Sequence, residues 1–128
     1  MQKVQSSARS ANVDRHHQLR DRTKAFALRV IRMSDALPRT RAANVIGNQI
    51  LRSATGLAAN YRAAGRSRSK AEFIAKVGVV IEEADETVFW LEMLRDSGLI
   101  KPTKLDRLLD EANQLLAIFT ASRRTAKS

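Results

Sequence analysis

Apolar residues recur every three or four positions through the middle of the chain, separated by polar ones. This spacing is typical of helices that bury one face, and no stretch alternates as a half-buried strand would. Four segments carry such a stripe, and we predict helices over Asp14–Ala36, Thr40–Ala64, Ser69–Ser97 and from Pro102 to about Ala121. The stripe residues form the candidate core: Leu19, Phe26, Val30, Met33, Leu37; Ile46, Ile50, Ala54, Leu57, Tyr61; Phe73, Val77, Val80, Ile81, Ala84, Val88, Leu91; Leu105, Leu108, Leu109, Ala112, Leu115, Leu116, Phe119.

Residues that stop or cap helices lie where the stripes end. Pro38 ends the first helix, because proline disfavours helical geometry in the residue before it. Gly65 suits the C-terminal cap of the second helix. Ser69 with Glu72 three positions later is a capping box, in which each side chain accepts a hydrogen bond from the other residue's backbone. Gly56, inside the second helix, costs about 1 kcal/mol relative to alanine, so we expect a neighbouring helix to approach closely there.

Together these elements predict an all-α fold, a single antiparallel up-down four-helix bundle, because short links place consecutive helices side by side. We expect the bundle to span residues 14–121, with a disordered N-terminal arm over 1–13 and a flexible basic tail over 122–128. No apolar run is long enough to cross a bilayer and the N-terminus lacks the apolar core of a signal peptide. We therefore expect a cytoplasmic protein without membrane contact.

Charge is divided unevenly along the chain, whose net charge is +10. Residues 1–70 hold 15 Lys and Arg against 3 Asp and Glu, whereas residues 71–128 hold 8 against 10. A basic half beside a near-neutral half indicates a polyanion partner or an acidic surface on another subunit. The alternative is a basic protein whose charge serves only its solubility.

Five arginines are the candidate nucleic-acid-binding residues. Three share the outer face of the second helix and two follow in the turn: Arg41, Arg52, Arg62, Arg66 and Arg68. Guanidinium groups suit bidentate contacts to phosphates or to carboxylates. Two interpretations therefore stay open. The arginines bind RNA or DNA backbone, or they pair with Glu82, Glu83 and Glu86 within or between subunits.

The third helix has apolar residues outside its core stripe. Val79, Phe89, Trp90 and Met93 lie well away from the Val77–Val88 centre on a helical wheel. Aromatic residues and methionine are favoured in the cores of interfaces, so these four are candidates for a homo-oligomer interface. The other interpretation is a wide core face that touches both neighbouring helices.

Nothing in the sequence has the arrangement of an active site. The chain lacks cysteine, which excludes disulfides and thiolate metal sites. Its only histidines, His16 and His17, are in the first helix, and the acidic cluster around Glu83 has no Glu-x-x-His partner motif. Glycine-rich phosphate loops and serine–histidine–acid sets are also missing. We expect no enzyme activity, metal or cofactor.

Several runs of sequence resemble one known family. They are Arg22–Ala27, Gln49–Ala54 with Ala59–Ala64, Arg66–Ser69 with Phe73–Lys76, and Glu82–Glu86 with Phe89–Leu91. Together they resemble the bacterial four-helix-bundle proteins named for the intervening sequences of 23S ribosomal RNA. The resemblance covers roughly residues 20–120. It implies a four-helix bundle that forms ring-shaped homopentamers, with nucleic-acid binding as the usual suggestion.

The accessory protein of diversity-generating retroelements is similar to this family, which adds a reverse transcriptase as a possible partner. One position departs from the family pattern: Ala63 stands where many members carry a glutamate. The preferred interpretation is a non-catalytic, oligomeric bundle that binds RNA or other nucleic acid through its arginines. The alternative is a protein-interaction adaptor whose arginines contact subunits or an acidic partner.

Overall fold

The computed structural model describes the backbone of residues 2–128 and the side chains of residues 10–128. Four helices run in the order α1 (Gln2–Asp35), α2 (Arg41–Ala64), α3 (Lys70–Asp96) and α4 (Pro102–Lys127), and these described residues include no strand. Each helix packs against the helices before and after it in the chain, and α1 also packs against α4. The predicted all-α, up-down four-helix bundle is confirmed.

The outer helices are longer than the sequence pattern predicts. α1 begins at Gln2 instead of near Asp14, and α4 continues to Lys127 instead of ending near Ala121. Of the stretches 1–13 and 122–128, for which a disordered arm and a flexible tail are predicted, residues 2–13 and 122–127 continue these helices. Neither stretch contains proline or glycine, so nothing in their composition breaks the run of backbone hydrogen bonds.

The core is one continuous cluster along the bundle axis. The predicted stripe residues are buried except five at its edges, which are partly buried: Met33, Leu37, Phe73, Ile81 and Leu116. Three polar residues, Thr23, Ser53 and Thr87, are also fully buried. The Thr87 hydroxyl lies 2.9 Å from that of Ser53 across the α2–α3 contact, so these two groups satisfy each other inside the core.

Side-chain caps fix where α2 and α3 begin. Thr40 accepts a hydrogen bond from the Ala43 backbone N–H, and Ser69 accepts one from Glu72 at 3.1 Å. The Ser69 half of the predicted capping box is therefore confirmed. The Glu72 carboxylate turns instead to Lys76, 3.8 Å from its Nζ atom, as i,i+4 neighbours on a helix surface can.

Gly56 lies where α2 packs against α3, and its close neighbour is a side chain of α3. A Cβ atom at Gly56 would lie only 2.7 Å from Glu83 Oε2, so the glycine makes room for a carboxylate. Among the residues that the structure describes, this buried oxygen has no hydrogen-bond partner. Burial and then the neighbouring Glu86 raise the pKa of Glu83, against the opposing charge of Arg52.

The contact between α1 and α4 is held by a bidentate ion pair. Arg22 donates from Nε and Nη2 to the two carboxylate oxygens of Glu111, at 2.8 and 2.7 Å, and Nη2 also donates to Gln114. These hydrogen bonds lower the pKa of Glu111 below its ordinary value. The pair closes the ring of four helices, and its geometry is of the stronger, charge-assisted kind.

Arg22→Ala should lower the free energy of unfolding by about 1–2 kcal/mol, because it leaves the half-buried Glu111 without its partner. A carboxyl whose pKa is lowered by folding stabilises the protein above its ordinary pKa of 4.5, and this contribution is lost as pH falls through the folded value. In urea unfolding, the free energy of unfolding should fall less between pH 7 and pH 3 in the variant than in the unmodified protein. An equal loss in both proteins would contradict this assignment.

Candidate nucleic-acid interface

The five predicted arginines do not form one compact patch. Arg41 is the first residue of α2 and Arg62 follows it by 21 positions, which separates them by about 30 Å along the helix. Arg66 and Arg68 are in the turn that follows α2, beside Arg62. Arg41 therefore lies at the opposite end of the bundle from these three.

Arg52, halfway along α2, pairs with α3 inside the same chain. Its Nη2 atom lies 2.7 Å from Glu86 Oε2, and its Nη1 atom lies 3.7 Å from Glu83 Oε1. Gln49 also accepts from this guanidinium. For Arg52 the structure thus has the second of the two predicted arrangements, pairing with the acidic cluster of α3 within one subunit.

All four helices contribute to the end of the bundle where Arg62 lies. His16 Nδ1 in α1 lies 3.0 Å from the Tyr61 hydroxyl in α2, and Arg123 in α4 donates to the Ile74 carbonyl in α3. Seven exposed cations project from this end: Arg15, Arg62, Arg66, Arg68, Lys70, Arg124 and Lys127. We call this set the basic end. Within the part of the chain that the structure describes, none of the seven forms an ion pair.

A groove of about 600 Å³ opens at the basic end, and we call it the end groove. It is lined by residues of α1, α2, the following turn, the start of α3 and α4. The lining residues are Asn12, Val13, Arg15, His16, His17, Leu19, Tyr61, Ala64, Gly65, Ser67, Ser69, Phe73, Ala121, Ser122, Thr125 and Ala126. None of them is acidic.

Aromatic side chains pack on one another at the groove. The rings of His16 and Tyr61 stack with their centres 4.7 Å apart, and Tyr61 packs in turn on the buried Phe119 at 4.9 Å. Gly65 permits this stack, because a Cβ atom there would lie 1.9 Å from His16 Nε2. Gly65 caps α2 as predicted, but its φ of −65° is one that any residue adopts. The glycine is therefore needed for the space it leaves to the His16 ring, and not for its backbone conformation.

Burial shifts the pKa values of both stacked groups. It lowers the pKa of His16 below 6.5, helped by the nearby charges of His17 and Arg20, and it raises the pKa of Tyr61 to about 12. His16 is therefore neutral at pH 7 and above, when its Nδ1 can accept the hydrogen bond that the Tyr61 hydroxyl donates.

Stability should fall as the pH is lowered below about 6.5, because the unfolded chain then binds a proton that folded His16 resists. The loss begins at the unfolded pKa and continues down to the lowered folded value. His16→Gln removes this titration. Its midpoint of thermal unfolding should therefore change less than that of the unmodified protein between pH 8 and pH 5, and identical changes would contradict the role given to His16.

The four candidate interface residues divide between solvent and core. Val79, Phe89 and Met93 are 40%, 50% and 41% exposed on the outer side of α3. Trp90 is partly buried against the core and contacts the Phe89 ring edge-on at 4.9 Å. Trp90 thus packs on the core, whereas Val79, Phe89 and Met93 are exposed; we call these three residues the α3 apolar face.

The contributions of α1 and α4 to the basic end do not follow from the sequence pattern. The apolar stripes fade around Arg15, His16 and Arg124, so the pattern places these residues in the first turn of a helix or in a tail. The available signal was the absence of proline and glycine from both stretches, which makes them compatible with a helix.

Among the described residues there is no group of three or more potential metal ligands.

The fold and this surface define a class of protein: a basic four-helix bundle, one end of which carries seven exposed cations that form no ion pair among the described residues. A family model described as 23S rRNA-intervening sequence protein matches residues 15–121. The chain belongs to this family, which confirms the resemblance seen in its sequence. None of its four helices, over the described residues, has the length and apolar character needed to cross a membrane.

One solved structure is similar over most of the chain. It is a protein of unknown function from the S23 ribosomal protein family of Bacteroides thetaiotaomicron, 28% identical, with a TM-score of 0.78. The match covers 85% of this chain and 97% of that one. No curated protein matches the chain.

Proposed function

We propose that this protein binds RNA through its basic end, as a non-catalytic and self-associating bundle. The observation that carries the proposal is that seven exposed cations without ion-pair partners in the described chain share one end with a groove whose lining holds no acidic residue. The opposite end also carries exposed cations, but there they are accompanied by the exposed carboxylates of Asp35, Asp96 and Asp106. An exposed cation held by an acidic neighbour must exchange that neighbour for a phosphate, whereas an unpaired one releases only water and counterions.

The arrangement suits a phosphate backbone better than a small anion. The cations come from α1, the α2–α3 turn and its flanking residues, and α4, so they are spread over the width of the bundle. Contacts to several phosphates position a protein on nucleic acid without reading its sequence. The name of the matched family, 23S rRNA-intervening sequence protein, favours RNA as the polyanion to test first.

Self-association is proposed on a separate observation, the α3 apolar face. Phe89 and Met93 are exposed one helical turn apart on α3, and aromatic and methionine side chains are favoured in protein contacts. The family resemblance suggests five copies. Light scattering at micromolar concentration should therefore give a mass several times that of the 14.3 kDa chain, and a monomer mass would contradict this part of the proposal.

RNA binding is tested by fluorescence anisotropy of a labelled RNA hairpin at increasing salt. We expect a dissociation constant in the micromolar range or below at low salt, rising linearly with salt on logarithmic axes. The slope counts the phosphates that the protein neutralises, at about 0.9 per phosphate for a duplex. Absence of binding at about 50 mM salt, where phosphate contacts are strong, would refute RNA binding. The remaining candidate would then be a protein-interaction adaptor whose arginines contact other subunits or an acidic partner.

A further inference from the structure

We propose that the end groove binds one unpaired nucleotide of the RNA, with its base stacked on His16 and its phosphate held by the basic end. This inference rests on the proposed function and extends it, because it names the part of the RNA that the protein distinguishes. The groove volume of about 600 Å³ is within the range of small-ligand sites and is ample for a base with its sugar.

His16 provides a preformed stacking surface. One face of the imidazole is covered by Tyr61 and its Nδ1 is hydrogen-bonded to the Tyr61 hydroxyl. The ring is only half-buried and also lines the groove, so its opposite face is the one available to a planar ligand. Because Tyr61 is itself packed on Phe119, the imidazole is positioned before the ligand arrives, which reduces the entropic cost of binding.

The remaining lining fits the edge and the charge of a nucleotide. Hydroxyl and amide groups of Asn12, Ser122 and Thr125 can both donate and accept, as the edge of a base requires. Ser69 accepts from the Glu72 N–H, which leaves its hydroxyl hydrogen free to donate. Arg15 lines the groove without any carboxylate beside it in the lining, so the site favours an anionic planar ligand over a metal ion.

The test compares two RNA hairpins of equal stem length, one fully paired and one with a single unpaired 2-aminopurine. We expect the second to bind about tenfold more tightly, the usual gain from one stacked base. Its fluorescence should fall on binding, because stacking quenches 2-aminopurine. The paired hairpin should still bind through phosphate contacts alone.

Two variants remove the stacking surface in different ways. His16→Ala deletes the ring, and Gly65→Ala places a Cβ atom where the ring lies and turns it away without removing any charge. The φ of Gly65 is one that alanine adopts readily. Both variants should abolish the tenfold preference and the quenching while keeping their affinity for the paired hairpin. Gly78→Ala is the matched control, since its Cβ atom would meet Arg123 only at an ordinary 3.4 Å.

The possible outcomes separate the two proposals. Equal binding of both hairpins without quenching would overturn the nucleotide site and leave RNA binding intact. A preference that survives in both variants would also overturn it, because the base would then be held elsewhere. Failure of the unmodified protein to bind either hairpin would refute the proposed function and this inference with it.

Discussion

Phe119→Ala is expected to lower the free energy of unfolding by about 3–5 kcal/mol. The ring of Phe119 is fully buried and packs against Tyr61 beneath the end groove. Truncation leaves a cavity that helices fixed by their other contacts can fill only in part. A domain of this size is stable by about 5–15 kcal/mol in all, so one side chain accounts for a large share. Urea unfolding followed by circular dichroism measures the effect.

Phe89→Ala is the matched control, the same substitution at a phenylalanine that is half-exposed in the single chain. In a monomer it should cost less than about 1 kcal/mol, since less area returns to water. If Phe89 is covered by a second copy, the cost should grow with protein concentration, because assembly stabilises the folded state by mass action. A small cost at every concentration would argue against a role for Phe89 in assembly.

The fold was predictable because its determinants are local. All five stripe residues of α2 are buried as predicted, since a period of 3.6 residues directly identifies the face that a helix hides. Thr40 and Ser69 cap their helices through residues three positions away. Four such helices joined by short links leave few arrangements other than the up-down bundle.

The candidate site was less predictable, because it depends on distances between helices. The sequence places Arg52 and Arg62 on one outer face of α2, yet only Arg52 meets carboxylates, those of Glu83 and Glu86. Periodicity orients a side chain relative to its own helix, but it does not determine which residue of the next helix lies at the same height.

The contact between His16 and Tyr61 is a second case in which periodicity does not reveal which residues of two helices meet. These residues are 45 positions apart, and neither has a neighbour in sequence that indicates the other. Only the antiparallel register of α1 and α2 brings them together, and only the missing side chain of Gly65 lets the rings stack. A glycine near the end of a helix indicates a cap, so nothing in the sequence shows that Gly65 also makes room for the His16 ring.

Replacing Arg62, Arg66 and Arg68 together with alanine is expected to weaken RNA binding by a few hundredfold at about 0.1 M salt. Each neutralised phosphate raises the association constant roughly eightfold at that salt concentration. The slope of the logarithm of this constant against the logarithm of salt should fall in magnitude by about 0.9 for each arginine that no longer meets a phosphate. The three residues are exposed and unpaired in the described chain. The free energy of unfolding should therefore change little, which separates a binding effect from a folding effect.

Arg41→Ala provides the control at the opposite end of the bundle, about 30 Å from Arg62 along α2. If the basic end is the binding surface, this variant should bind RNA as the unmodified protein does, with the same salt slope. An equal weakening per arginine at both ends would mean that the charge acts through the field of the whole molecule and not through one surface. A weakening confined to Arg41 would place the RNA at the other end and contradict the proposed function as stated, because the turn between α2 and α3 would then meet no phosphate.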